Sequence, residues 1–169
     1  MTEITLKDIF SLARDVVSYA TERNLTLATA ESCTGGLIGA AITSIPGSSA
    51  PFKGGIIAYD NTVKAKQLNV PEAIIETHGA VSEEVAKAMA QGVLTALETD
   101  LAISVTGIAG PGGGSDEKPV GTVWIGIAQK GQSAEATLFN FGDIGRNKVR
   151  DETCFEALKT LKAALSEAQ

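Results

Sequence analysis

Three consecutive residues, Glu31, Ser32 and Cys33, carry a carboxylate, a hydroxyl and a thiol, and Thr34-Gly35-Gly36 follows them. The apolar run at 25–30 before them reads as a strand. Leu37, Ile38, Ala41, Ile42 and Ile45 after them fall at helical spacing. A serine at such a junction has two physical uses. With a base nearby, its hydroxyl is a nucleophile that projects past the strand end. Without one, it caps the helix by accepting from a free backbone N–H. Both readings stand at this point. Glu31 is either a local acid or a structural carboxylate. Cys33 is either a rival nucleophile or an inert buried thiol.

The base has two candidate sources. His78 is the only histidine and sits in a turn before a helix, so a Ser-His-Asp triad depends on it alone; a structural role is the alternative. The second route pairs Ser32 with Lys64. Tyr59 ends a second strand and Lys64 lies in the first turn of the helix that follows. A partly desolvated lysine near a helix start has a lowered pKa, which suits a base. A solvated lysine and a core tyrosine are the alternatives. The glycine-rich stretch 107–119 is neither a phosphate loop of the Gly-Lys-Ser/Thr kind nor a dinucleotide fingerprint. Its successive backbone N–H groups suit an anion nest, or it is a surface loop. Lys118, Arg146 and Arg150 are cations that could meet a phosphate, or ordinary surface charges.

The elements that must position these groups follow in order. Residues 6–23 read as an amphipathic helix opened by a Thr5/Asp8 capping box and stopped at Asn24. Strand one spans 25–30 and helix two 37–45, and a loop at 48–53 leads to strand two at 54–59. Asn61 or Thr62 caps a short helix, and Pro71 fits the first position of another, running to Ile75. His78-Gly79-Ala80-Val81 is a turn, and Ser82 caps a longer helix. Strand three spans 101–106. Residues 120–128 and 134–141 form a hairpin, and the last helix covers 144–165 before a polar tail. Helices alternating with strands and then a hairpin imply an α/β fold, a mixed sheet of about five strands with helices on both faces. With the first three strands parallel, Ser32, Tyr59 and Thr106-Gly107 open at one sheet edge, where such folds bind ligands.

Composition bounds the function. The 169 residues suit one domain spanning 1–169, 44% apolar and 20% charged. A net charge of -6 argues against a general nucleic-acid binder or a polybasic membrane binder. Cys33 and Cys154 form neither a metal motif nor a disulfide framework, which fits reduced thiols in a cytoplasmic protein. Met1 to Asp8 is polar and mixed in charge, unlike a signal peptide. No apolar run approaches membrane-spanning length, and no residue cluster has metal-ligand spacing.

A resemblance covers nearly the whole chain. Ala30-Glu31-Ser32-Cys33-Thr34-Gly35-Gly36, Gly47-Ser48-Ser49, Tyr59 with Asn61 and Lys64, His78-Gly79-Ala80-Val81-Ser82, the stretch from Ser104 to Gly114 and Lys118-Pro119-Val120-Gly121-Thr122-Val123 resemble the CinA C-terminal domain family. The resemblance implies a three-layer α/β/α fold, association as a homo-oligomer and a stand-alone form of a domain often fused to a larger one. Its enzymatic members, of the PncC type, convert nicotinamide mononucleotide to nicotinate mononucleotide and ammonia in pyridine-nucleotide salvage. On that pattern Ser32 is the nucleophile, Lys64 its base, and Tyr59 a hydrogen-bonding assistant to one or both. Thr34, Gly35 and Gly36 supply oxyanion N–H groups, while Thr106, Gly107, Gly110, Gly112, Gly113 and Arg146 hold the nucleotide. No metal or organic cofactor is expected. The family's Gly-Asp-Arg before the last helix is here Gly142-Asp143-Ile144-Gly145-Arg146, so Arg146 stands two residues late. A nucleotide-binding module without turnover and an amidase for another small amide are the alternatives.

Overall fold

The structure, a computed structural model, describes residues 4–167; the first three residues of the polar start and the last two of the polar tail lie outside them. The strands are β1 (Leu27–Glu31), β2 (Phe52–Ile57), β3 (Leu101–Gly107), β4 (Thr122–Gln129) and β5 (Glu135–Asn140). The helices are α1 (Leu6–Glu22), α2 (Leu37–Thr43), α3 (Asn61–Leu68), α4 (Glu72–His78), α5 (Glu83–Ala96) and α6 (Arg146–Glu167). The sheet order is β2-β1-β3-β4-β5. β1 runs parallel to both β2 and β3, whereas β3–β4 and β4–β5 are antiparallel. The expected mixed five-stranded sheet is therefore present, and the first three strands deliver their C-terminal ends to one edge.

Two apolar cores flank the sheet. One gathers Ile9 and Val16 of α1, Ile38 and Ile42 of α2 and Val149 and Leu158 of α6 against Leu27, Ile103 and Val105. The other gathers Leu68 of α3 with Val85, Met89 and Val93 of α5 against Ala28, Ala30 and Ala102. The register Leu27↔Leu101, Thr29↔Ile103, Glu31↔Val105 keeps odd-numbered positions of β1 on the first face and even-numbered ones on the second. Ser32 continues the ladder by donating its N–H to the Val105 carbonyl at 3.1 Å. Glu31 and Ser32 therefore leave the strand end on opposite faces, with Ser32 toward α3.

The caps follow sequence chemistry at two places and depart from it at three. Thr5 and Asp8 form the expected capping box on α1, and Ser82 caps α5 by accepting from Val85 N–H. α3 is capped by Asp60, which accepts from Thr62 N–H at 2.8 Å, rather than by Asn61 or Thr62. The cause is register. Phe52 already pairs with Leu27, so β2 starts and ends two residues earlier than expected, leaving Tyr59 and Asp60 in the connection. Pro71 precedes α4 instead of opening it, and α4 runs on to His78, so that histidine ends a helix rather than starting a turn. α2 begins at Leu37 after Gly36, whose φ of 99° is a left-handed conformation that glycine adopts without strain.

Candidate active site

Ser32 does not cap α2, because Gly36 occupies the cap position four residues later, with no side-chain capping bond. Its hydroxyl meets Lys64 instead. Lys64 Nζ donates to Ser32 Oγ at 3.2 Å and to the Tyr59 carbonyl at 3.3 Å. Two elements make this contact: the end of β1 and the first turns of α3, brought together because β1 and β2 are parallel neighbours. Lys64 is 1% exposed, an unusual state for an ammonium. Desolvation by burial holds its pKa below the ordinary lysine value, against the opposing pull of the Asp60 charge. Cys33 is also buried, and burial pushes its thiol up to about 12, so it is not a thiolate at neutral pH. Burial likewise raises the Cys154 thiol.

Ser32 and Lys64 line a cavity of about 230 Å³ with Tyr59, Asn61, Thr106 and Arg146. Arg146, the first residue of α6, bridges its mouth. One guanidinium nitrogen donates to the Gly110 carbonyl at 2.8 Å and the other to the Tyr59 hydroxyl at 2.9 Å. Both partners are neutral, and among the described residues Arg146 pairs with no carboxylate. Arg146 thus reaches the cavity despite its displaced position in the sequence. Thr106 and Gly107 line the same cavity, and the Thr106 hydroxyl donates to the Ala80 carbonyl at 2.7 Å.

Several expected site residues lie elsewhere. The Tyr59 phenol bonds to Arg146, not to Ser32 or Lys64, and only its main-chain carbonyl touches Lys64. The early end of β2 is the reason. Thr34, Gly35 and Gly36 are absent from the cavity wall. The Thr34 hydroxyl and Gly36 N–H donate to Glu31, and Gly35 N–H donates to the Ser32 carbonyl. The α2 N-terminus is thus occupied by the chain's own carboxylate. Gly112 and Gly113 line a separate open groove beside Asp116 and Asp143; the glycine loop turns away from Ser32 after Gly110. His78 lies outside the cavity with Nδ1 3.5 Å from Glu84, so no Ser-His-Asp triad forms. Lys118 donates to the His78 carbonyl and Arg150 to the Thr34 carbonyl, which makes both structural. Asn61 is a cavity residue that reasoning from caps missed; its place in the Tyr59, Asn61, Lys64 triplet was the available signal.

Among the described residues no group of three or more His, Cys, Asp or Glu side chains could hold a metal ion, and no helix is long and apolar enough to cross a membrane.

Known proteins match this chain closely. The family model of the CinA C-terminal domain covers residues 9–165. A CinA-like protein of Parasynechococcus marenigrum is 51% identical over 156 residues, which are 92% of this chain and 37% of that protein. A CinA-like protein of Geobacter sp. is 55% identical over 145 residues, 85% of this chain and 34% of that protein. The chain thus spans little more than a third of the length of these relatives. The crystal structure of competence/damage inducible protein CihA from Agrobacterium tumefaciens superposes with a TM-score of 0.91 at 44% identity, covering 95% of this chain and 96% of that one. That of competence damage-inducible protein A from Klebsiella pneumoniae gives 0.90 at 33% identity, covering 95% and 99%. The chain belongs to the CinA C-terminal domain family.

Proposed function

We propose that this chain is an amidase that hydrolyses the carboxamide of nicotinamide mononucleotide to nicotinate mononucleotide and ammonia. Ser32 is the nucleophile and Lys64 the base. The observation that carries the reading is the 3.2 Å contact between Ser32 Oγ and a lysine amine that is 1% exposed. Desolvation favours the neutral amine, and a neutral amine accepts the proton that the serine must lose. The serine oxygen then adds to the carboxamide carbon. The Cys33 amide, which belongs to a residue of the cavity wall and pairs with no backbone carbonyl among the described residues, replaces the glycine N–H groups as the candidate donor to the developing oxyanion. Collapse breaks the C–N bond, and Lys64 returns the proton to the departing ammonia. Water adds to the acyl-serine in the same way, giving the carboxylate and regenerating Ser32.

Arg146 supports a substrate with an anionic end, because it is a guanidinium at the mouth with only neutral partners. A cavity of about 230 Å³ suits the amide-bearing ring and leaves the phosphate at that mouth. Association of copies belongs to the same proposal and is read by sedimentation.

The test is ammonia release from nicotinamide mononucleotide by the wild type and by Ser32→Ala. Turnover by the wild type and none by the variant is expected. Equal turnover by the two would falsify the nucleophile. Binding of the nucleotide without ammonia would instead make the chain a nucleotide-binding module. Faster turnover of another amide in a panel of small carboxamides would replace the substrate and keep the chemistry.

A further inference from the structure

We infer that Glu31 is a positioning residue that aims Ser32 at Lys64; this rests on the serine–lysine reading above. Glu31 is the last residue of β1 and is 1% exposed. Its carboxylate collects four donors from the turn and helix that follow Ser32. Oε2 accepts from the Thr34 hydroxyl at 2.7 Å and from Gly36 and Ile38 N–H at 3.0 Å each, and Oε1 accepts from Gly39 N–H at 2.8 Å. A carboxylate can serve that many donors, because every lone pair on it is an acceptor.

Strand alternation gives this arrangement its leverage. Glu31 and Ser32 leave the same backbone on opposite faces, so whatever fixes Glu31 from one side fixes the direction of Ser32 on the other. The Glu31 carbonyl adds a second tie by accepting from Ala58 N–H at 2.8 Å. The next residue, Tyr59, offers its own carbonyl to Lys64. One residue therefore holds the turn after the nucleophile and the connection that leads to the base. α2 offers no alternative anchor, since Gly36 brings no side-chain cap. Glu31 also lies outside the cavity lining and is not among the charges acting on Lys64, which separates positioning from acid–base work.

Glu31→Gln keeps the shape but replaces one acceptor oxygen with an NH2 group that faces N–H donors. Displacing a nucleophile by about 1 Å lowers turnover about 100-fold. The expected result with nicotinamide mononucleotide is therefore a kcat about 100-fold lower, with KM within about threefold and the pH midpoint of kcat unmoved. Glu31→Asp, which keeps the charge on a shorter arm, is expected between the two. A folded Glu31→Gln that retains more than about a third of wild-type kcat overturns the proposal, and so does a loss accompanied by a shifted pH midpoint. Should Glu31→Gln fail to fold, Thr34→Val removes a single donor, and unchanged kcat in that variant overturns it. Ser32→Ala in the same assay separates the two ideas. Should it keep its turnover, the serine–lysine reading falls. Glu31 is then judged by amide exchange at Gly36, Ile38 and Gly39, where exchange no faster in Glu31→Gln than in the wild type refutes the anchoring itself.

Discussion

Gly92→Ala tests how tightly the site depends on helix packing behind it. Gly92 lies in the middle of α5, where α5 meets the end of α3. A Cβ at that position would stand 2.0 Å from the Leu68 carbonyl oxygen and 2.8 Å from its carbonyl carbon. Both are backbone atoms, so no rotamer change relieves the clash. Reaching ordinary contact needs the helices to part by more than about 1 Å. Leu68 is one turn beyond Lys64, so the displaced element is the one that carries the base. Helix propensity alone predicts that alanine stabilises α5 by about 1 kcal/mol. Overpacking between two backbones costs about 1–3 kcal/mol, so the net sign is destabilising or neutral. The expected change is a fall of up to about 8 °C in Tm. The Lys64–Ser32 contact is 3.2 Å and has little slack before it ceases to be a hydrogen bond. A kcat loss of about 100-fold should accompany the fall. Thermal melts and ammonia release on the same preparation measure both. A variant that melts higher than wild type and turns over normally would show that α3 yields without moving Lys64, and the reasoning would be wrong.

Lys64→Met should abolish ammonia release and raise the melting temperature at pH 7. Burial holds the amine below its ordinary 10.5, so the folded state binds fewer protons than the unfolded one. Wild-type stability therefore rises with pH between the folded and unfolded values, and is lowest below the folded one. The gap between variant and wild type should close as pH approaches 10.5, and a gap that widens there contradicts the assignment. Wild-type kcat should likewise climb with pH through a midpoint below the ordinary lysine value. Tyr59→Phe should leave kcat within about twofold and raise KM several-fold, because the phenol reaches only Arg146. A kcat loss of about 100-fold in that variant would return the phenol to proton transfer.

Much of this arrangement is legible in the residues. β1 and β3 carry mostly small or apolar residues, broken only by Thr29 and Glu31 and by Ser104 and Thr106, which marks them as central, and their parallel order already places Ser32 near Thr106. The Ser32–Lys64 pair is legible only as proximity to one edge; its contact depends on a register that joins Phe52 to Leu27. That same register misleads the reading of Tyr59, since two residues of shift exchange a phenol for a carbonyl. Glu31 escapes local rules because a capping box looks three residues ahead, whereas this carboxylate reaches as far as Gly39. The glycine loop carries glycines along both halves, yet Gly107 stays on the cavity wall while Gly112 and Gly113 face another groove. The glycines themselves do not mark the division; the anchor of Arg146 on the Gly110 carbonyl does.

The two cores on either side of the sheet divide the support of the candidate site between them. Lys64 belongs to the layer packed on Leu68 and Met89, Arg146 to the layer packed on Ile9 and Val149, and Ser32 sits at the seam between them. Loosening either layer separates the groups while the sheet persists. Under the proposed amidase reading, turnover is expected to fall at partial opening, ahead of the global transition that spectroscopy records.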